Sequence, residues 1–145
     1  MDFFTALKIS SSGLSVQRLR MNIISSNLAN ANTTRTEEGG PYRRKDITIG
    51  ATSVDEFQNV LNSELDNAVK KVTVLNLVED QRPFRMVYNP QHPDANKEGF
   101  VAMPNINSIE EMTNLLSAAR SYEANVTAIQ SIKSMALKAL SIGKD

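Results

Sequence analysis

Apolar residues recur with helical spacing near both ends of the chain, and this regularity disappears between them. The pattern predicts one long helix over residues 3–30 and another over residues 108–142. In the first helix, one apolar stripe is spaced by seven and gains two flanking residues: Leu7, Leu14, Met21 and Leu28, with Phe3 and Ile24. A second apolar group lies roughly opposite on the helical wheel: Ile9, Val16, Leu19 and Ile23.

A helix with two apolar faces needs apolar partners on two sides. Two interpretations remain open, burial inside a single domain or contact with neighbouring chains, and the terminal position of both helices favours the second. Gly13 lowers helix propensity by about 1 kcal/mol relative to Ala, so it indicates either a tolerated bend or the close approach of a neighbouring helix. The Asn-rich run 27–32 predicts the helix end, because Asn tolerates the left-handed conformation.

The second helix begins with the sequence of a capping box, in which Ser108 accepts from the amide of Glu111 and Glu111 reaches back. Its apolar residues then alternate by three and four, which is typical of a coiled-coil seam. The seam consists of Met112, Leu115, Ala119, Tyr122, Val126 and Ile129. Lys133 interrupts it, and a neighbouring face opens with Ile132, Met135, Ala139 and Ile142, while Leu140 continues the original line.

The middle of the chain predicts short strands separated by turns. Strands are expected at residues 42–49, 71–78, 84–88 and 99–103, with the second and third paired through a turn at 80–83. Residues 55–69 remain ambiguous between a helix and a loop. The prolines at 90 and 93 exclude regular structure from the segment between Tyr88 and Ala95.

The predicted fold class is mainly α with a small β part (α+β). We expect the N- and C-terminal helices to pair as an antiparallel coiled coil, with a short antiparallel sheet and loop region between them. Residues 1–32 and 108–145 would form the terminal-helix domain. Residues 33–107 would form a small β and loop segment that faces outward.

Composition removes several function classes. The 16 Lys+Arg residues balance the 16 Asp+Glu residues, which argues against a global attraction to nucleic acid or anionic membrane. The absence of cysteine excludes disulfides, iron–sulfur clusters and thiol catalysis. No apolar stretch approaches the ~18 residues of a membrane span, and Asp2 and Lys8 do not fit the start of a secretory signal peptide.

Candidate catalytic chemistry is sparse. The single histidine, His92, has no second His or Cys to share a metal, and no phosphate-binding glycine loop occurs. We therefore expect no catalytic residues, no cofactor, no metal and no enzymatic activity. An enzyme would require an ordered pocket, for example around His92, Asp94 and Glu98.

The apolar helix faces are instead the expected assembly interface. Its predicted residues are Leu7, Leu14, Val16, Leu19, Met21, Ile23, Ile24, Leu28, Met112, Leu115, Ala119, Tyr122, Val126, Ile129, Ile132, Met135 and Leu140.

Three stretches resemble the rod proteins of the bacterial flagellar axial family. The first is the helix end Ser25–Thr34, followed by Gly40–Arg44. The second runs from Tyr88 to Asn96 and from Gly99 to Asn105, and the third comprises Glu110–Met112, Ala119–Asn125 and Lys133–Met135. The residues that carry the resemblance are Asn27, Asn30, Asn32, Thr33, Pro41, Tyr42, Asn89, Pro90, His92, Pro93, Asp94, Gly99, Pro104, Asn105, Glu111, Tyr122, Glu123 and Asn125.

The resemblance implies a structural subunit of the proximal rod of the flagellar basal body, a periplasmic drive shaft that transmits motor torque. It implies export through the flagellar type III apparatus without a cleaved signal peptide. It also implies contacts with the other rod proteins FlgB, FlgF and FlgG, with further copies of the chain and with the export-gate adaptor FliE. A rival interpretation is a soluble helical adaptor or export chaperone, which would form a tight small dimer in solution.

Overall fold

The computed structural model describes residues 3–53 and 70–142. Along these residues the order of elements is α1 (Phe3–Ala29), β1 (Lys45–Ser53), β2 (Lys70–Glu79), β3 (Arg85–Tyr88), β4 (Phe100–Met103) and α2 (Ser108–Ile142). This is a mixed α+β fold, in agreement with the predicted class. The two long helices have nearly the bounds that their periodicity predicts. The ambiguous segment 55–69 and the expected cap at Asp2 lie outside the described residues.

The N-terminal cap of α2 differs from the prediction. Asn107, the residue before the helix, accepts a hydrogen bond through Oδ1 from the amide of Ile109 at 3.1 Å. The amide of Glu111 donates to the carbonyl of Asn107 at 3.0 Å. Asn107 therefore performs the capping that the capping-box pattern assigns to Ser108, and the Glu111 carboxylate is used elsewhere.

The end of α1 also uses a different device from the one predicted. Among the described residues, positive φ angles occur only at glycines, so no Asn adopts the left-handed conformation here. The helix instead ends in two successive turns whose hydrogen bonds join residues three apart. They run from Ala31 N to Leu28 O at 3.2 Å and from Thr33 N to Asn30 O at 3.0 Å. The carbonyl of Ser26 accepts twice from Asn30, from its amide at 3.1 Å and from its side chain at 2.9 Å, which holds the last turn of the helix.

The strands form two separate two-stranded sheets, β1 with β2 and β3 with β4. The predicted pairing of the second strand with the third is therefore wrong. β3 and β4 are antiparallel, with Arg85 opposite Met103 and Tyr88 opposite Phe100. β1 begins later than expected, at Lys45 rather than Tyr42, and extends to Ser53.

Long-range contacts explain why residues 80–83 do not close a hairpin. The carbonyl of Asp80 accepts from the Arg43 guanidinium at 3.0 Å and from the Asn105 amide at 3.3 Å. The amide of Asp80 donates to the carbonyl of Arg44 at 2.8 Å, which continues the pairing of β2 with β1. Both backbone polar groups of Asp80 are therefore engaged by distant parts of the chain.

The chain divides into two compact units. Unit 1 contains Met1–Leu19, Thr48–Asn76 and Ala118–Asp145. Its buried apolar residues among those described are Val16 and Ala118. A Cβ built on Gly13 would lie 3.0 Å from Asn125 Oδ1, so the first helix approaches the second closely at this point. Of the two interpretations of Gly13, the structure supports close approach, and the helix concerned belongs to the same chain.

The β1–β2 sheet is also closely packed in unit 1. A Cβ on Gly50 would lie 2.7 Å from Leu75 Cδ1, so any larger residue at position 50 would displace that side chain. The hydroxyls of Thr52 and Thr73 share a hydrogen bond of 2.8 Å between the strands. Ser12 accepts a bond from the amide of Val72 at 3.2 Å, which joins the sheet to α1.

Unit 2 contains Arg20–Ile47 and Leu77–Ser117. Its buried apolar residues are Ile24, Val101 and Ile106, and it also buries the polar side chains of Asn27 and Glu111. Gly99 has a φ of +83°, and a Cβ there would lie 2.9 Å from the Tyr88 ring. Only glycine fits both the backbone conformation and the space at this turn.

In the described part of the chain, neither helix is long and apolar enough to cross a membrane.

The contact between Gly13 and Asn125 predicts a coupling that can be measured. Gly13→Ala should stabilise α1 by about 1 kcal/mol through helix propensity, but the new methyl must displace the Asn125 side chain, 3.0 Å away. We expect the full gain only in an Asn125→Ala background, with a coupling of at least about 0.5 kcal/mol in a double-mutant cycle. Urea unfolding followed by circular dichroism measures both values. Equal gains in the two backgrounds would contradict the close approach.

Candidate assembly interface and buried polar cluster

The predicted interface residues differ in their exposure. Val16 and Ile24 are buried within the chain itself, each 4% exposed. Four others are exposed: Leu19, Met112, Met135 and Leu140. The remaining residues of the set are half-buried: Leu7, Leu14, Met21, Ile23, Leu28, Leu115, Ala119, Tyr122, Val126, Ile129 and Ile132. Apart from Val16 and Ile24, the predicted residues therefore retain surface that another chain can cover.

The structure adds exposed apolar residues that the sequence interpretation did not include. On the helices these are Phe4, Ile109, Leu116 and Leu137, and Ile142 of the predicted neighbouring face is exposed as well. Ile109 is 78% exposed and lies on one side of α2 with Met112 and Leu116. The spacing of these three residues by three and four was a detectable signal. The capping-box pattern obscures this spacing, because it explains the residues around Ile109 as a helix cap alone.

The outer face of the β3–β4 sheet is also apolar. Met86 and Tyr88 project from this face, and Phe100 stands directly opposite Tyr88. The Tyr88 and Phe100 rings meet edge to face, with their centroids 5.3 Å apart. All three side chains are exposed. The sequence predicted these strands but gave no reason to expect apolar residues on their solvent side.

In unit 2, by contrast, the most deeply buried side chains are polar. Asn27 is 0% exposed, and its amide uses all of its hydrogen-bonding positions. It donates to the carbonyl of Lys45 at 2.8 Å and to Glu111 Oε2 at 3.0 Å. It accepts from the amide of Lys45 at 3.0 Å and from the Tyr42 hydroxyl at 3.3 Å. The last turns of α1 are thus joined to the start of β1 and to the first turn of α2.

Glu111 is 1% exposed and has a partner for each carboxylate oxygen. Oε2 accepts from Asn27, and Oε1 accepts from Arg44 Nε at 2.8 Å. Removing one partner of such a buried ion pair typically costs about 3–5 kcal/mol, because the other charge remains buried and unpaired. We call Asn27, Arg44 and Glu111 the buried polar cluster.

Arg44 extends this cluster to neighbouring acids. Its Nη1 lies 3.0 Å from Asp46 Oδ2 and 4.0 Å from Asp80 Oδ2. Burial lowers the pKa of Arg44, but its hydrogen bonds and charge interactions with Glu111 and Asp46 outweigh this effect and raise the pKa overall. The guanidinium therefore stays charged, and it compensates the buried carboxylate of Glu111.

Asp80 carries the second clear pKa shift of the region. Hydrogen bonds from the side chain and the backbone amide of Arg82 hold the pKa of Asp80 below its ordinary value. The Asp80 carboxylate accepts from Arg82 Nε at 2.7 Å and from the backbone amide of Arg82 at 2.9 Å, and Arg82 Nη2 lies 2.6 Å from Asp80 Oδ2. The contacts between Asp80 and Arg82 are local and hold the segment between β2 and β3 in its conformation.

The proline-rich segment before β4 is held by local polar contacts. His92 Nδ1 accepts from the amide of Asp94 at 3.1 Å, and the Asp94 carboxylate accepts from the Thr34 hydroxyl at 2.8 Å. Asn96 Oδ1 accepts from the amides of Glu98 and Phe100, at 3.0 and 2.9 Å. These hydrogen bonds hold the loops of the segment in place.

The residues that carry the family resemblance therefore fall into distinct positions. Asn27, Tyr42, Asn105 and Glu111 contribute to the buried polar cluster or bond to it. Asn30 and Thr33 lie at the end of α1, Asn32 and Pro104 line one cavity, and Pro41 lines two others. Asn89, Pro90, His92, Pro93, Asp94 and Gly99 form the turns between β3 and β4, whereas Tyr122, Glu123 and Asn125 lie on α2 in unit 1.

Open cavities accompany the cluster in unit 2. One, of about 460 Å³, is lined by Tyr42, Lys45 and Glu79 together with Arg43, whose guanidinium stacks 4.4 Å above the Phe84 ring. Another, of about 540 Å³, lies between Arg85 and the start of α2. Within residues 3–53 and 70–142, no three His, Cys, Asp or Glu side chains are grouped to hold a metal ion.

Comparison with known proteins connects this geometry to a family. The family model described as "Flagella basal body rod protein" matches residues 7–35, and the one described as "Flagellar basal body rod FlgEFG protein C-terminal" matches residues 97–142. The flagellar basal-body rod protein FlgC of Bacillus subtilis is 46% identical over 99% of this chain and the whole of that relative. The chain belongs to the FlgC family of flagellar basal-body rod proteins.

Other FlgC proteins agree along nearly the full length. The FlgC of Borreliella burgdorferi is 41% identical over 98% of each chain, and that of Escherichia coli O6:H1 is 38% identical over 99% of this chain and all of that relative. The two matching family models include most of α1 and all of α2, respectively. Asn27 and Glu111 lie within these two regions, so the hydrogen bond between them joins the two segments that match the family models.

The cluster predicts a strong and pH-dependent effect of one isosteric change. Asn27→Asp replaces an amide that donates to Glu111 and Lys45 with a carboxylate that faces two acceptors. We expect it to destabilise unit 2 by about 3–5 kcal/mol at pH 7. The loss should shrink as the pH falls, because the introduced carboxylate lies beside a like charge and an acceptor, binds a proton more readily in the folded state and then regains a hydrogen-bond donor. Urea unfolding followed by tyrosine fluorescence and circular dichroism measures the change.

Asn30→Asp is the matched control, since Asn30 bonds only near the surface, to Ser26 and Thr33. It should cost less than about 1 kcal/mol with little dependence on pH. Similar losses for the two variants at pH 7 would contradict the role assigned to Asn27.

Asp80 predicts a separate dependence on acid. Because its pKa in the folded state lies below the ordinary 3.8, the unfolded state binds more protons in that range. The stability contributed by Asp80 is therefore complete above the unfolded pKa and is lost as the pH falls through the folded pKa. Asp80→Asn should destabilise by up to about 1 kcal/mol at pH 7, since Arg82 is largely exposed. It should have almost no effect well below pH 3.8, and an equal loss at both pH values would overturn the assignment.

Proposed function

We propose that this member of the FlgC family is a non-enzymatic structural subunit of the proximal flagellar rod. In this role it assembles with other rod proteins into a helical shaft that passes motor torque along the axis. Membership of the FlgC family supports this proposal, since the relatives are named as flagellar basal-body rod proteins. The polar cluster and the apolar surface support a role in assembly.

The observation that carries the proposal is the distribution of apolar surface. In the described residues, the buried apolar side chains are few: Val16, Ile24, Val101, Ile106 and Ala118. Larger apolar side chains on α2 remain exposed, including Met135 at 63% and Leu140 at 68%. Covering one such side chain is worth about 1.5–3 kcal/mol, so assembly would provide the stabilisation that the isolated chain lacks.

The proposed arrangement follows the two helices. We propose that residues 1–32 and 108–145 act as the terminal-helix domain, in which α1 and α2 pair as an antiparallel coiled coil, and that residues 33–107 face outward. The contact of Gly13 with Asn125 in unit 1 and that of Asn27 with Glu111 in unit 2 are consistent with this pairing. Lateral neighbours would then cover the remaining apolar faces.

The proposed partners are further copies of this chain, the rod proteins FlgB, FlgF and FlgG, and the export-gate adaptor FliE. The chain would leave the cytoplasm through the flagellar type III export apparatus without a cleaved signal peptide and would function in the periplasmic rod of the basal body. The sparse apolar core supports such a route, because an exported chain must unfold and then gain stability from its neighbours.

Assembly predicts a position-specific effect of introducing a charge. Met135→Asp places a carboxylate on an exposed apolar site, so it should leave the stability of the free chain within about 0.5 kcal/mol. In the assembled rod the same carboxylate would be buried and unpaired. We expect loss of the chain from purified basal bodies and loss of motility on soft agar.

Ser134→Asp is the control, because Ser134 is also exposed and is the immediate neighbour on the same helix. It should be incorporated and should support motility. Normal basal bodies with Met135→Asp would contradict the interface, and a tight small dimer of the free chain in solution would favour the adaptor interpretation.

A further inference from the structure

The first turns of α2 have an inverted polarity. The charged residue Glu111 is 1% exposed, whereas Ile109, Met112 and Leu116 are 78%, 56% and 61% exposed. At about 100° per residue, Ile109 and Leu116 lie roughly 160° and 140° away from Glu111 around the helix axis. The side of α2 that carries Glu111 therefore faces the interior of unit 2, whereas Ile109 and Leu116 lie on the opposite, exposed side.

Hydrophobic burial alone would favour another orientation. Turning α2 so that Ile109 and Leu116 faced the interior would bury two large side chains, each worth about 1.5–3 kcal/mol, and would expose the half-buried Leu115 in exchange. It would also return the Glu111 carboxylate to water. The observed orientation therefore requires an interaction that opposes this gain.

The buried polar cluster supplies that interaction. Glu111 is held by Asn27 at 3.0 Å and by Arg44 at 2.8 Å. Asn27 is fixed in turn by two bonds to the backbone of Lys45, at 2.8 and 3.0 Å. Hydrogen bonds are directional, whereas apolar contact is not. A rotation of α2 would break both bonds to Glu111, and the buried Asn27 and half-buried Arg44 would lose this partner.

We propose that the buried polar cluster sets the rotation of α2 and so keeps the stripe Ile109–Met112–Leu116 on the outside of the free chain. The cluster is then a device that presents an apolar surface before any partner is bound. The use of that surface in assembly rests on the proposed function, whereas the rotation itself is a property of the free chain.

Cysteine labelling tests the rotation directly, because the chain has no native cysteine. Single cysteines are introduced at three positions, Ile109→Cys, Leu116→Cys and Leu115→Cys, and are labelled with a maleimide. Each is made in two backgrounds, the native chain and a triple variant without the cluster. The triple variant combines Glu111→Leu, Asn27→Leu and Arg44→Met. Replacing a whole buried polar group with apolar residues commonly preserves a fold, but it removes the directional bonds. Lys97→Cys, in an exposed turn, corrects for differences between preparations.

With the cluster intact, positions 109 and 116 should react quickly and position 115 slowly. Without the cluster, the rates at 109 and 116 should fall about twofold if the two rotations of α2 become equally populated. If the turned orientation becomes the more stable one, the rates should fall by a further factor of about ten for each ~1.4 kcal/mol of free-energy difference between the two orientations. The rate at position 115 should rise. Unfolding would raise all three rates, so opposite signs at 109 and 115 distinguish rotation from loss of the fold. Should the triple variant unfold, Glu111→Gln gives a milder form of the same comparison, because its amide satisfies only one of the two partners.

Unchanged rates at all three positions in a folded variant would overturn the proposal. Incorporation into basal bodies is scored separately on the chains without cysteine. Opposite rate changes accompanied by normal incorporation would retain the rotation and reject the use of the stripe in the rod. Loss of incorporation with unchanged rates would reject the rotation and leave the proposed function intact.

Discussion

The carboxylate of Glu111 sets the main constraint on unit 2. A buried charge is tolerated only where its partners are in place, and here these partners come from α1 and from the start of β1. Asn27 and Arg44 are far from Glu111 in the sequence, so the cluster joins three distant segments of the chain. The arrangement favours one alignment of the chain over alternatives that bury similar apolar area.

In unit 1, the alignment of the chain depends on glycines rather than on a buried charge. Gly13 lets α1 approach Asn125 of α2, and Gly50 leaves space for Leu75 between the strands. Such contacts depend on shape rather than on charge, and each fails when a larger side chain is introduced. The two units therefore combine different kinds of specificity, one based on directional bonds and one based on close packing.

The sequence predicted the helices well because their periodicity is local. The bounds of α1 and α2 follow from apolar spacing over many turns, and the four strands were recognised from short apolar runs. The pairing of β2 was predicted wrongly. β2 pairs with β1, and the carbonyl of Asp80, where the predicted turn begins, accepts from the distant side chains of Arg43 and Asn105. Nothing in the sequence near residues 80–83 reveals those contacts.

Glu111 shows the same limit for the candidate site. Its position three residues after Ser108 matches a capping box, and only the folded chain reveals that its partners are Asn27 and Arg44. The family resemblance did single out Asn27 and Glu111, but it gave no physical reason for either residue. The capping pattern also gives no indication that Ile109 is exposed, because it assigns roles only to Ser108 and Glu111 of that turn.

One consequence concerns which positions of the chain are free to diverge. Asn27 recognises Lys45 only through its main-chain amide and carbonyl, at 3.0 and 2.8 Å. The side chain at position 45 therefore has little influence on these two hydrogen bonds, and any residue with a backbone N–H can form both of them. Proline is the exception, because its nitrogen has no hydrogen to donate. Evolution can thus vary residue 45, half-exposed as it is, to suit different surroundings while the architecture beneath it is left intact.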